Sequence, residues 1–312
     1  MQVYRDFDNI GFDKKSVITV GTFDGVHLGH RKILKKVLEL KNSKNLRSVV
    51  ITFDPHPQIV LKNKSKDIKI LSTTDEKIRL FDSFGIDAVC IINFTKEFSQ
   101  TDAEDFYYNY LINKIGLSDI VIGYDHNFGR NREGKLETLK MLSQKYDFDF
   151  HKVDEYKFGS EVVSSTVIRH LLENQEVAHA SKLLGSFYSI EGKVVIGAQL
   201  GMKIGFPTAN INPSDEFKLI PKNGVYFVSS EINNEIYYGM MNIGYRPTVT
   251  DALKLIIEVH YLDFNLDIYN TIIRIDFIDF IRNEIKFNSI DDLKVQLEKD
   301  KKEITELIKY IK

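Results

Sequence analysis

The 312-residue chain is poor in several residue types that define whole protein classes. Its single cysteine, Cys90, excludes an intramolecular disulfide framework and a cysteine-rich zinc site. Six prolines and 18 glycines are too few for collagen-like or proline-rich architectures. Charge of one sign is missing too. With 42 Lys+Arg against 44 Asp+Glu, the net charge is −2, without the basic surplus of a dedicated nucleic-acid binder. The lysine-rich stretch 62–69 therefore reads as a solvated loop. No apolar run approaches the ~20 residues of a membrane span. The N-terminus, carrying Arg5, Asp6 and Asp8, lacks the apolar core of a secretory signal. These absences predict a soluble, cytoplasmic protein with neither nucleic-acid nor membrane partners. What remains is globular composition, 43% hydrophobic and 28% charged. The length suits about two domains.

The first half alternates short apolar runs with amphipathic stretches. Residues 16–23, 48–53, 88–94, 119–122 and 148–153 read as strands. Residues 31–41, 75–84, 103–114 and 136–145 repeat their apolar positions at helical spacing. Alternation of this kind predicts an α/β domain whose parallel sheet is covered on both faces. Two short helices follow at 166–173 and 177–184, ended by Gly185. Strands then run without intervening helices at 188–195, 224–232, 235–242, 255–262 and 271–280. They predict an antiparallel barrel or sandwich, closed by a helix at 290–310. The domains are set at 1–185 and 186–312.

The stretch Gly21-Thr22-Phe23-Asp24-Gly25-Val26-His27-Leu28-Gly29-His30 follows the first strand and opens a helix. Gly21 and Gly25 allow a tight turn close to a ligand, and the free N–H groups of a helix start favour phosphate. His27 and His30 are about one turn apart and can face one ligand, stabilising charge on a transferring phosphoryl group. Two incidental histidines, or a metal pair, would share this spacing. No cysteine or acidic ligand stands at the spacing a metal would need. Farther on, Ser165 or Thr166 can cap a helix, with Arg169 one turn in to bind phosphate oxygens. Taken alone, that segment equally reads as an ordinary cap with a surface arginine.

Read together, these stretches resemble the HxGH nucleotidyltransferase superfamily, and the whole chain resembles the bacterial bifunctional riboflavin kinase/FAD synthetases. The resemblance implies a Rossmann-like nucleotidyltransferase domain followed by a riboflavin kinase-like barrel. It implies ATP contacts from Gly21, Thr22, Phe23, Asp24, Gly25, His27, His30, Asp125, Ser164, Ser165, Thr166 and Arg169, with His27, His30 and Arg169 catalytic. An aspartate beside triphosphate repels unless it takes ribose hydroxyls or magnesium, so Asp125 is equally a loop cap. Thr52-Phe53-Asp54-Pro55-His56-Pro57 looks like the family's flavin-side loop, implying Phe53, Asp54, His56 and Pro57 as flavin contacts together with Asn127.

The second half matches at Gly205-Phe206-Pro207-Thr208-Ala209-Asn210. Gly201, Gly205, Phe206, Pro207, Thr208 and Asn210 would hold ATP, with Thr208 and Asn210 ligating Mg²⁺ through hard oxygen atoms. In an extended chain these two face the same side. Glu258 would orient the riboflavin 5′-hydroxyl and accept its proton, although periodicity alone makes it a solvent-facing strand residue. His260, two residues on, reads as structural. Arg282 and Phe287 would contact the flavin; without the resemblance they are a surface arginine and a buried phenylalanine.

The implied activities are phosphorylation of riboflavin to FMN, then adenylylation of FMN to FAD with release of pyrophosphate. ATP is co-substrate, Mg²⁺ is required, and a monomer or weak homo-oligomer is expected. Two positions depart from the family pattern. Met202 stands where an arginine often follows the loop glycine, and Asn270 where Asp-x-Tyr-Gly would end. They motivate an alternative: a synthetase whose C-terminal domain is a weak kinase or a regulatory flavin-binding module.

Overall fold

The computed structural model describes all residues except 14, 62–67, 125–135, 198–199, 248–252 and 312. It separates into two compact units, Met1–Ser165 and Thr166–Lys312.

The first unit is built on a six-stranded parallel sheet. Its strands are β1 (Gln2–Tyr4), β2 (Ser16–Val20), β3 (Arg47–Asp54), β4 (Ala88–Asn93), β5 (Leu117–Gly123) and β6 (Asp149–Val153), in the order β1-β4-β3-β2-β5-β6. Successive side chains point to opposite faces, and both faces are buried. Ile18, Val49, Ile51, Cys90, Ile92 and Ile120 join one apolar cluster, against Tyr107 and Leu111. Val17, Val50, Val89, Ile91 and Val121 join the other, against Leu34, Val37 and Phe81. The helices are α1 (Leu28–Lys44), α2 (Pro57–Val60), α3 (Thr74–Ser83), α4 (Ala103–Asp105), a π-helical segment Phe106–Ile115, and α5 (Leu136–Tyr146). The continuous helix expected at 103–114 is thus one α-turn running into a wider π-helix. Cys90 lies fully buried in the sheet, and its surroundings push the thiol up to about 12. A two-stranded ribbon, β7 (Lys157–Phe158) and β8 (Glu161–Val162), ends the unit.

Strand order reverses between β2 and β5, so the loop after β2 stands at the topological switch point where such sheets bind ligands.

The second unit opens with α6 (Ser165–Glu173), whose first residue belongs to the first unit, and α7 (Val177–Leu184). A closed antiparallel barrel follows. Its strands are β9 (Tyr188–Val195), β10 (Ala209–Pro213), β11 (Gly224–Ile232), β12 (Glu235–Pro247), β13 (Leu253–Tyr261) and β14 (Ile272–Arg282). A short α8 (Leu200–Lys203) sits in the glycine-rich segment, and α9 (Ile290–Ile308) completes the chain. From α9, Leu297, Ile304, Leu307 and Ile308 cover the barrel at Phe227, Met240 and Ile278. Among the described residues, no helix is long and apolar enough to cross a membrane.

Candidate active sites

In the first unit, the strand expected over 16–23 stops at Val20 because the backbone turns sharply after it. Phe23 (φ 49°), Gly25 (φ 85°) and Val26 (φ 41°) take left-handed conformations. For a β-branched valine this is a true outlier, held only because its surroundings over-determine it. The side chains of Phe23 and Val26 are buried and clamp the loop. Left-handed residues at a helix start turn successive N–H groups into a concavity that suits anions.

His27 is the N-cap of α1, its Nδ1 accepting from the His30 N–H at 3.3 Å. With Nδ1 accepting, a neutral His27 ring carries its proton on Nε2. The His27 and His30 rings stack at 3.7 Å between centroids and 14° between planes. A Cβ on Gly29 would stand 3.1 Å from the His27 ring, so glycine leaves that ring its place. Burial, His27 and then Lys77 lower the His30 pKa well below the ordinary value. His30 is therefore a neutral hydrogen-bonding group near pH 7. Its Nδ1 is buried with no hydrogen-bond partner among the described residues.

The other predicted residues divide. The Asp24 carboxylate, expected near ATP, is buried and accepts the N–H groups of Leu71 (2.8 Å) and Ser72 (3.0 Å). This carboxylate holds the loop. The Ser165 hydroxyl donates to the Asp24 carbonyl at 2.8 Å, bringing the predicted clamp serine to the same loop. Thr22 and Ser164 are half-buried beside these contacts in sequence. Thr166 is exposed on the first turn of α6, and Arg169 lies one turn in, half-buried, within the second unit. At the carboxyl end of β3, Phe53 meets Phe94 edge-on at 5.4 Å, and Phe98 adjoins both. Asp54 is exposed; Pro57 opens α2, which His56 caps. Asp125 and Asn127 lie outside the described residues.

Sequence reasoning missed Lys77. It is 4% exposed on α3, and its ammonium donates to Thr52 Oγ1 at 3.0 Å, Thr22 O at 3.3 Å and Phe53 O at 3.4 Å. The available signal was a lysine four residues before the buried Phe81, on the inner face of a predicted helix.

In the second unit, sheet register assembles the site. Glu258 on β13 pairs with Asn210 on β10 and with Asn242 on β12. Residues directly opposite in a ladder share a face, so the three form one row across three strands. Ile257 and Val259 are buried on the other face, the alternation expected for this strand. Arg246 Nη2 reaches Glu258 Oε2 at 3.5 Å. A Cβ on Gly197 would fall 2.1 Å from the Asn210 amide, and one on Gly201 would fall 2.1 Å from the Phe206 carbonyl. The glycines therefore permit these close approaches, and Gly205 supplies a left-handed turn (φ 86°). Phe206 is buried, Pro207 exposed and Thr208 half-buried. His260 donates from Nδ1 to the Pro207 carbonyl at 2.8 Å, joining the loop to the strand that carries Glu258.

Arg282, expected as a flavin contact, has its guanidinium on Asp300 of α9 through Nε (2.9 Å) and Nη2 (2.7 Å). Asp300 is buried, so this pair anchors the helix to the barrel. Phe287 is half-buried. Asn270 adopts the left-handed backbone (φ 65°) that glycine would favour there.

Comparison with known proteins agrees with both halves. The FAD synthetase family model matches residues 10–167, and the riboflavin kinase model matches residues 184–308. A Listeria monocytogenes bifunctional riboflavin kinase/FMN adenylyltransferase is 38% identical, over 93% of this chain and 92% of the relative. The Bacillus subtilis protein of that description is 35% identical, over 93% of this chain and 91% of its own. A solved Streptococcus pneumoniae structure, described as a macrolide-efflux protein, superposes with a TM-score of 0.88 at 31% identity, covering 96% of this chain and 97% of its own. The fold and the two family matches define a two-part enzyme of nucleotide chemistry. The chain belongs to the bifunctional riboflavin kinase/FMN adenylyltransferase family.

Proposed function

We propose that the chain makes FMN and then FAD at two separate sites, in domains spanning 1–185 and 186–312. The row of Asn210, Glu258 and Asn242, with Thr208 on the approaching loop, is the observation that carries the kinase assignment. Glu258 accepts the proton of the riboflavin 5′-hydroxyl as that oxygen attacks the γ-phosphorus of ATP and ADP leaves. Thr208 and the Asn210 amide offer hard oxygen donors that suit Mg²⁺, and Gly197 leaves that amide its room. When bound, the metal neutralises charge on the phosphates.

At the other site, the FMN phosphate attacks the α-phosphorus of a second ATP in line, and pyrophosphate leaves. The left-handed loop and the start of α1 hold phosphate oxygens, while His27 and His30 donate hydrogen bonds to the charge that builds there. Arg169 supplies the clamp, and the Phe53 corner the apolar wall for the flavin. No enzyme nucleophile is needed. Both sites work in the cytoplasm, and a single copy of the chain contains each of them.

A product assay from riboflavin and Mg-ATP, separating FMN and FAD over time and repeated from FMN, tests this reading. FMN should appear first and FAD follow. His30→Ala should stop the second step and spare the first, and Glu258→Gln should do the reverse. The synthetase-only alternative, motivated by Met202 and Asn270, requires that no FMN form from riboflavin. The left-handed backbone of Asn270 favours the bifunctional reading.

A further inference from the structure

Lys77 is an ammonium group with almost no solvent, yet its three acceptors are neutral oxygens. No carboxylate of the described residues stands at ion-pair distance from it; Asp24 and Asp54 act on it only through space. Buried charge without a partner is costly, and its retention needs a reason. The identity of the acceptors supplies one. Thr22 lies in the loop after β2 that leads into His27. Thr52 and Phe53 end β3, where the segment toward His56 begins. Thr52 Oγ1 also donates to Thr22 O at 3.1 Å while accepting from Lys77. Lys77, Thr52 and Thr22 thus form one buried knot between the two loops.

We infer that Lys77 is a positioning residue of the adenylyl-transfer site: its ammonium ties the phosphate-side loop to the flavin-side loop and sets their separation. The inference rests on the site assignment proposed above. The same buried charge lies beneath the cradle proposed for phosphate, where it adds positive potential without touching the ligand. Because one group fixes both loops, its loss disturbs both substrates together. A change in one loop alone would disturb only one of them.

The test uses the full chain with Lys77→Met, which keeps length and removes charge, and Thr52→Val, which removes only the bridging hydroxyl. KM is read for both FMN and ATP, because it does not depend on the fraction of protein that folds. In Lys77→Met, kcat/KM for FAD formation should fall about 100-fold, with KM raised for both substrates, while FMN formation from riboflavin stays unchanged. Thr52→Val should raise the same two constants by less, and the double variant should be no worse than Lys77→Met. Unchanged KM values in Lys77→Met, with FAD formation lost only in proportion to folded protein, would overturn the inference and leave a structural lysine. His30→Ala is run alongside. Full FAD formation in that variant overturns the site assignment itself, and the role of Lys77 with it. Loss there together with unchanged Lys77→Met kinetics overturns the Lys77 inference alone.

Discussion

The rings of His27 and His30 lie face to face, 3.7 Å apart, and the Nδ1 of His27 accepts the His30 N–H that opens the helix. Stacking tolerates two neutral imidazoles well and two imidazolium ions poorly. His30, lowered by burial first and then by His27 and Lys77, stays neutral where a free histidine would protonate. The sign follows by linkage: below about pH 6.5 the unfolded chain takes up a proton that the native chain refuses. This contribution to stability is complete above that pH and is lost as pH falls. The first unit should therefore unfold at progressively lower urea between about pH 7 and pH 5, and His30→Asn should flatten that slope. A slope unchanged by His30→Asn would contradict the assignment.

Gly29→Ala separates stability from activity. Alanine favours a helix over glycine by about 1 kcal/mol. The new Cβ, however, would stand 3.1 Å from the His27 ring and 3.5 Å from the Val163 carbonyl. The ring has to shift by a few tenths of an ångström. We expect a melting temperature equal to or above that of the unsubstituted chain, with FAD formation reduced about tenfold or more.

Asp300→Ala should be costly for the second unit. It strands a guanidinium that the carboxylate grips through two nitrogens, and also removes the acceptor of Gln296 at 2.8 Å. Breaking such a pair by deleting one member costs about 3–5 kcal/mol. Urea unfolding should show that loss, and Arg282→Met combined with Asp300→Leu should recover much of it.

His260 tests whether the kinase loop is held from the strand. Asparagine can place an N–H donor near the Nδ1 position, whereas leucine cannot. His260→Asn should keep most of the kinase rate. His260→Leu should lower it about tenfold with FAD formation from FMN unaffected. Equal rates in the two variants would mean that the bond to the Pro207 carbonyl does not matter.

The sequence exposed most of the architecture because both sheet faces are covered, so β3, β4 and β5 appear as unbroken apolar runs. Four strands escaped it: β1, β10 and the two-residue strands β7 and β8. β1 is three residues at a sheet edge with little apolar content, and β10 ends in Asn212-Pro213, which reads as a turn. The π-helical segment passed as α-helix because ten residues are too few turns to tell its wider period from 3.6. Contacts between neighbours in sequence were legible, as in the histidine pair. The hydrogen bonds of Asp24, Lys77 and Arg282 were not, since their partners are distant along the chain: Leu71, Thr22 and Asp300.

Cys90 has a practical consequence. Its thiol is fully enclosed by the sheet and pushed up to about 12, so neither access nor ionisation favours alkylation at neutral pH. The native chain is therefore close to a thiol-silent background. A cysteine introduced at an exposed position such as Met202, on the short α8, would carry a fluorophore or spin label at a single defined point, without first removing a native residue.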